Sequence, residues 1–253
     1  MTLIKSVEKA VDILSCFTVD APLLTVIEIS RLTGFSQSAV SRILATLAKK
    51  KCVEHIGAGG KYQLGVKFYQ WQSVLRMRTS LSDLSKPVME NLRDLCGEEV
   101  SLYVLSEGNR ICLEAVKSHH GVAKVTPVGK VFPLHCGAAG KVLLAHLPET
   151  ELEDILRQKS LERFTPDTIT DPARLGADLE RIRREGYAIS LGEREEGAYS
   201  VVAPVRDARG QVIASLSISG PIFRFPEEKH EESVQAVLKA AREISTVLGA
   251  MEP

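Results

Sequence analysis

The stretch Leu24 to Lys50, LTVIEISRLTGFSQSAVSRILATLAKK, constrains this chain more than any other. It divides at Gly34 into two short amphipathic segments. Val26, Ile29 and Leu32 form one helical stripe in the first segment; Val40, Ile43, Leu44 and Leu47 form one in the second. The second set follows i, i+3, i+4, i+7, which places apolar side chains on one face of a 3.6-residue helix. Thr25 and Glu28 have the spacing of a capping box, and Gly34 tolerates the positive φ that a tight connection needs. Two short helices about a glycine turn, the second polar on its outer face, predict a helix-turn-helix; a plain helical hairpin in a core is the competing reading.

The flanking sequence completes that motif. Ser6 to Phe17 carries Val7, Ala10, Val11, Leu14 and Phe17 in helical register and stops before Asp20-Ala-Pro22. After Lys51, Cys52 to Ile56 and Lys61 to Leu64 read as short strands joined by Gly57-Ala-Gly-Gly60, a hairpin in the position of a wing. Gly65 to Thr79 reads as a further helix with Phe68, Trp71 and Leu75 on one stripe. Trp71, the only tryptophan, is expected to fill a core or to lie in a dimer seam.

A length of 253 residues suits two domains. Charge is uneven along it: residues 1–78 hold 11 Lys and Arg against 5 Asp and Glu, leaving 21 against 27 in the remainder. A front of net +6 and a back of net −6 imply that only the front meets a polyanion. No apolar run reaches the ~18 residues of a membrane span, and Met1 to Ser15 lacks the layout of a signal peptide. Five dispersed cysteines, at 16, 52, 96, 112 and 136, argue against a disulfide framework and for a reducing, cytoplasmic setting.

Beyond residue 79 the pattern mixes helices and strands. Leu81–Leu95 is a helix with Leu84, Val88, Leu92 and Leu95 in register. Strands are expected at Val100–Leu105, Arg110–Val116, Ala123–Val128 and Val131–Leu134, followed by a helix over Ala138–His146. Helices near Pro148 and Asp171-Pro172 precede strands at Tyr187–Leu191, Ser200–Val205 and Val212–Ser219. A last helix after Pro226 carries Val234, Val237, Leu238, Ala241, Ile244 and Leu248 on one face. This is an α+β, sensor-like arrangement.

Taken together, several stretches resemble the IclR family of bacterial transcription regulators over nearly the whole chain. They are SVEKAVDILSCF, the helix-turn-helix, the wing ending GKYQLG, then PLHCGAAGKVLLA, REGYAISLGEREEG, VVAPVRDARGQVIASLSISGP and the closing helix. The resemblance implies a winged helix-turn-helix over residues 1–65, a linker helix over 66–79 and a GAF/profilin-like α/β effector-binding domain over 80–253. It also implies homodimers or homotetramers on a palindromic operator in double-stranded DNA, with a small molecule altering DNA affinity.

With the apolar stripe buried, the start of the second helix presents Gln37, Ser38, Ser41 and Arg42, the positions that reach base edges in such motifs. Arg42 suits guanine and Gln37 adenine. Lys61 on the wing is in reach of the backbone or minor groove; Lys49, Lys50 and Lys51 suit phosphate or solvent.

In the second domain, His135-Cys-Gly-Ala-Ala-Gly-Lys141 is not a P-loop, because the first glycine and the Ser/Thr after the lysine are missing. Small residues at a helix start leave backbone N–H groups open to a carboxylate, or simply pack that helix on a strand. On the matching positions the resemblance places effector contacts at Gly137, Ala138, Ser190, Ala198, Ser200, Ser217 and Ser219. Some relatives carry an acid where this chain has Ser190. Alternation puts Ser215, Ser217 and Ser219 on one strand face, where buried hydroxyls need partners. The favoured effector is a small organic acid, an aromatic or short-chain carboxylate.

Neither a cofactor nor a metal is expected; His119, His120, His135 and Cys136 lack ligand spacing. Two other classes compete with the regulator: a thiol enzyme using Cys136 with a fused nucleic-acid-binding head, and a DNA-binding protein whose back domain only oligomerises.

Overall fold

The computed structural model describes residues 4–57, 60–76, 81–158 and 161–250. It divides into two units, Met1–Ser80 and Leu81–Pro253. In the first, α1 (Lys5–Ser15), α2 (Val26–Thr33) and α3 (Gln37–Lys49) enclose a core of Ile13, Phe17, Leu24, Ile29, Val40, Leu44 and Val53. The capping box forms as its spacing predicts: the Glu28 N–H donates to the Thr25 hydroxyl, and the Thr25 N–H donates to the Glu28 carboxylate at 2.7 Å. Gly34 takes φ 71°, and the Ser30 hydroxyl donates to the Phe35 carbonyl at 2.6 Å, which fixes the turn into α3.

The wing pairs β2 (Val53–Ile56) with β3 (Lys61–Leu64). A third short strand, β1 (Leu24–Thr25), adds to the other edge of β3. Two of the four loop residues, 58 and 59, lie outside the described residues, as do the expected helix end at Thr79 and domain start at Ser80. Helix α4 (Lys67–Arg76) follows, with Trp71 46% exposed and edge-on to Phe68 at 5.3 Å. Leu32 departs from the expected stripe. Helix α2 is two turns long and buries Ile29, and Leu32 on its last turn is 64% exposed.

The second unit is built on a six-stranded antiparallel sheet in the order β6-β5-β4-β9-β8-β7. These strands are β4 (Glu99–Ser106), β5 (Asn109–Val116), β6 (Val131–Phe132), β7 (Ala188–Leu191), β8 (Ala198–Arg206) and β9 (Val212–Pro221). Against one face pack α5 (Leu81–Cys96) and α9 (His230–Val247), burying Val88, Met89, Leu92, Val237 and Ile244 on Val100, Leu102, Val201, Leu216 and Ile218. The other face carries α6 (Ala138–Ala145) and α8 (Pro172–Glu185), with α7 (Glu149–Gln158) alongside. Asp171 caps α8 through the Arg174 N–H, with Pro172 in its first turn.

Strict alternation explains the division of faces: Leu216 and Ile218 enter the first core, and Ser215, Ser217 and Ser219 face α6. Every residue of α6 is buried, so this helix lacks a solvent face. Gly140 on it admits no side chain, because a Cβ there would collide with the Leu134 carbonyl and the Arg110 guanidinium.

Two expectations are corrected in this unit. Leu95 is 72% exposed, and Met89 and Ser85 are buried on α5 instead, because the helix rolls its core face away from the last turn. Ala123–Val128 is not a strand. Val122, Val125 and Val128 are exposed at every third position while Thr126 between them is buried, a period of three rather than two. The segment is held by side chains instead of a ladder: the Thr126 N–H and hydroxyl donate to Glu99 at 2.7 and 2.6 Å, and Arg224 donates to the Val122 carbonyl at 2.9 Å.

Candidate functional site

In the first unit, α3 buries Val40 and Leu44 and turns Gln37, Ser38, Ser41 and Arg42 outward, all exposed. Ser36 caps the helix, accepting from the Ala39 N–H, and its hydroxyl lies 3.2 Å from that of Ser38. Lys61 is exposed at the start of β3. The helix thus offers a guanidinium, an amide and two hydroxyls on one free face, a mixed donor and acceptor set of the kind that reads base edges.

The second unit contains a small cavity of about 30 Å³ at the N-terminus of α6. Register places a polar row across the sheet beneath it: Ser190 on β7 pairs with Ser200 on β8, Ser200 with Ser219 on β9, and Ser219 with Glu99 on β4. The row is polar because each of these residues faces α6, and the alternating neighbours bury the aliphatic side chains. Gly137, Ala138, Ser190, Ala198, Ser200 and Ser217 line the cavity together. Ser219 is not among the lining residues; it is 1% exposed, its hydroxyl 3.5 Å from Glu99. Ser215 donates to the Ala139 carbonyl at 3.1 Å, so it fastens α6 to the sheet.

The lining also contains three cations that sequence reasoning missed, Arg110, Lys124 and Arg194. Arg110 is 4% exposed and lies between Tyr103 and Phe132, its guanidinium carbon 5.4 and 5.2 Å from the ring centroids. It donates to the Cys136 carbonyl at 2.8 Å, and its Nε–H has no acceptor among the described residues. Arg194 lies 4.5 Å from the same Phe132 ring, so one aromatic ring serves two guanidinium groups. Burial, reinforced by the Arg194 charge, pulls Arg110 down to about 10. Lys124 is drawn down to about 8, first by desolvation and then by Arg194. An environment that penalises positive charge this way favours an incoming anion.

Carboxylates nearby are already engaged. Glu193 accepts from Lys141 Nζ at 2.5 Å and from the Gly137 N–H at 3.1 Å, and Lys141 also reaches Asp178 at 2.7 Å. Burial raises the Asp178 carboxyl, but Lys141 and Arg181 outweigh it and hold it below the usual carboxylate range. The Glu193 carbonyl accepts from Thr165, Thr168 and Cys136, at 3.1, 2.6 and 3.3 Å. The segment carrying Glu193, Arg194 and Glu195 is therefore pinned over the cavity. Cys136 is buried beneath it, its thiol pushed up to about 11 by desolvation.

No local pattern marks Arg110, Lys124 or Arg194, which come from three separate segments. The one available signal was Arg110 at the head of the apolar run Ile111-Cys-Leu113 of its strand. His119 faces Asp94 at 2.9 Å, and no group of three or more metal-binding side chains occurs among the described residues.

Comparison with known proteins agrees with both halves of this picture. The IclR helix-turn-helix domain matches residues 6–56, and the bacterial transcriptional regulator IclR C-terminal domain matches residues 74–246. The chain is similar to the transcriptional regulator BhcR of Paracoccus denitrificans, at 34% identity over 96% of this chain and 86% of that one. It is also similar to KipR of Bacillus subtilis, at 31% identity over 97% of each. Among solved structures, an IclR homologue from Microbacterium hydrocarbonoxydans complexed with 4-hydroxybenzoate superposes with a TM-score of 0.83. It is 30% identical, over 96% of this chain and 98% of that one. An outward-facing helix in a winged helix-turn-helix, a polar cavity in a separate α+β unit and these two full-length matches make one conclusion: the chain belongs to the IclR family of DNA-binding transcription regulators with a C-terminal effector-binding domain.

Proposed function

We propose that the effector is a small organic acid, and that its carboxylate binds between the N-terminus of α6 and the serines of the polar row. The observation that carries this is Arg110, a buried guanidinium on the cavity with an N–H left without an acceptor. Leaving such a donor unpaired costs about 1–3 kcal/mol, which an anion repays. Gly137, Ala138, Ser190, Ala198, Ser200 and Ser217 supply neutral contacts, and Ser219 acts through Glu99. The 4-hydroxybenzoate complex of a 30% identical homologue supports the same class of ligand.

On this reading Gln37, Ser38, Ser41 and Arg42 contact bases of a palindromic operator, and Lys61 contacts its backbone. A homodimer in the cytoplasm presents two such helices, and a homotetramer four. Residues 1–65 form the DNA-binding domain, 66–79 the linker that carries the signal, and 80–253 the sensor. The protein acts without catalysis: Cys136 is buried and its thiol raised, the opposite of an activated nucleophile.

Gel shifts on a cognate operator test both ends. Arg42→Ala is expected to lose about 1–3 kcal/mol of discrimination at one base pair, with the fold retained. A carboxylate is expected to change wild-type operator affinity. Unaltered sequence preference in folded Arg42→Ala, or thermal stabilisation by neutral and cationic compounds alone, refutes the corresponding half.

A further inference from the structure

We propose that residues 192–197, the turn between β7 and β8, form a strap whose Glu193 carboxylate sits in the effector's own place on α6, so that an entering carboxylate displaces it and lifts the strap. The proposal rests on the carboxylate reading above and adds the regulation of that site.

Three observations carry it. The cavity of about 30 Å³ has room for about two water molecules, too little for the acids proposed above, so one of its walls has to move. Most of the lining is fixed. The strands are laddered to one another, α6 is buried at every residue, and the segment bearing Lys124 is pinned at Thr126 by the buried Glu99 and at Val122 by Arg224. What remains is the strap, which contributes Glu193, Arg194 and Glu195 to the lining.

Next, the strap is built to lift. Its sequence, Gly-Glu-Arg-Glu-Glu-Gly, contains no apolar side chain, and its end glycines adopt left-handed φ values of 72° and 73°. Hydrogen bonds hold Glu193 down: its carbonyl accepts from Thr165, Thr168 and Cys136, and its carboxylate from Lys141 and the Gly137 N–H. Arg194 rests on the Phe132 ring, and residues 195–197 are exposed. Water replaces polar partners when such a segment rises, whereas a buried apolar anchor would have no substitute.

Finally, the seat of Glu193 coincides with the anion site. Gly137, which donates to it, precedes the first turn of α6 and lines the cavity. A Cβ on Gly137 would lie 3.5 Å from the Arg110 guanidinium, so the unpaired Arg110 donor is close by. When Glu193 leaves, Lys141 keeps Asp178 at 2.7 Å, and an incoming carboxylate inherits the Gly137 N–H. One anion replaces another, and the space it needs is the space the Glu193 side chain vacates. Seated strap and bound effector exclude one another, which couples binding to a change of shape.

Limited proteolysis of the full chain tests this, because trypsin cleaves after Arg194 only when the strap is free. Saturating 4-hydroxybenzoate or propionate is expected to speed that cut about tenfold or more, located by mass spectrometry. Thr168→Val weakens the latch and is expected to speed the cut in the free protein about two- to tenfold, and to bind the acids tighter by a similar factor in calorimetry. Thr168→Ser, which keeps the hydroxyl, is expected to behave as wild type. Should Thr168→Val fail to fold, Thr165→Val removes the other threonine donor and carries the same expectation. Slower cleavage in the presence of a bound acid, or acids bound no tighter by the folded valine variant, overturns the strap and leaves the carboxylate reading standing. Failure of both acids to bind overturns both.

Discussion

Replacing Lys141 by methionine removes the cation that holds two carboxylates under the helix at the cavity. Lys141 is 2% exposed, Glu193 9% and Asp178 16% at their side chains, so the pairs sit where water cannot substitute for the ammonium. Asp178 keeps a second partner in Arg181 at 2.7 Å, so the loss falls on Glu193. Breaking a buried pair by deleting one member costs about 3–5 kcal/mol, because the other charge stays buried. For a unit of this size each kcal/mol lowers Tm by about 2–4 °C, so a fall of about 6–20 °C is expected for the C-terminal unit. The double variant Lys141→Met/Glu193→Gln is expected to recover most of that loss, since a neutral amide still accepts from the Gly137 N–H. Thermal unfolding followed by circular dichroism reads all three proteins. The sign of the pH dependence is fixed by Asp178, whose carboxyl is held low in the folded state. Its contribution is present above the unfolded carboxylate value of about 4 and is lost as pH falls through its folded value, so the gap between wild type and Lys141→Met narrows in acid. A single variant within about 2 °C of wild type at neutral pH, or a double variant no better than the single, refutes the reasoning.

Three further outcomes follow from other parts of the molecule. Thr25→Ala removes the acceptor for the Glu28 N–H and is expected to cost the N-terminal unit about 1 kcal/mol, measured by urea unfolding; no change in midpoint counts against the cap. Gly140→Ala forces the Leu134 carbonyl and Arg110 apart and is expected to destabilise the C-terminal unit by about 1–3 kcal/mol and to weaken carboxylate binding; wild-type calorimetry from this variant contradicts the packing described. Cys136, with its thiol pushed up from 9.0 to about 11, carries roughly 100-fold less thiolate than an ordinary cysteine. It is therefore expected to resist iodoacetamide at pH 7.5 until the protein unfolds; rapid modification of the native protein, located by mass spectrometry, contradicts its burial.

What could be read from the residues alone depended on whether the information was local. Helix α3 was legible because its apolar stripe and the glycine before it lie within fifteen residues. The serines of β9 were legible because alternation is a property of one strand. Leu32 and Leu95 were misread for a related reason: periodicity says which residues share a face, not where along the helix its packing partner ends. Ala123–Val128 was misread because valines suggest a strand, while this segment is secured by Glu99 and Arg224 from other elements. The charged wall of the cavity was hidden for the same cause. Arg110, Lys124 and Arg194 converge only after β5, the pinned segment and the turn after β7 are assembled, and no spacing within any one of them announces the others.

The strand order has a bearing on how this protein avoids self-association of the wrong kind. The two outermost strands of the six, β6 and β7, are only two and four residues long. An edge that short exposes few backbone donors and acceptors, so there is little template on which a foreign or sister chain could extend the sheet. A neighbouring molecule is then met through side chains rather than by strand exchange, and such a contact can be revised by surface substitution without endangering the sheet that carries the cavity.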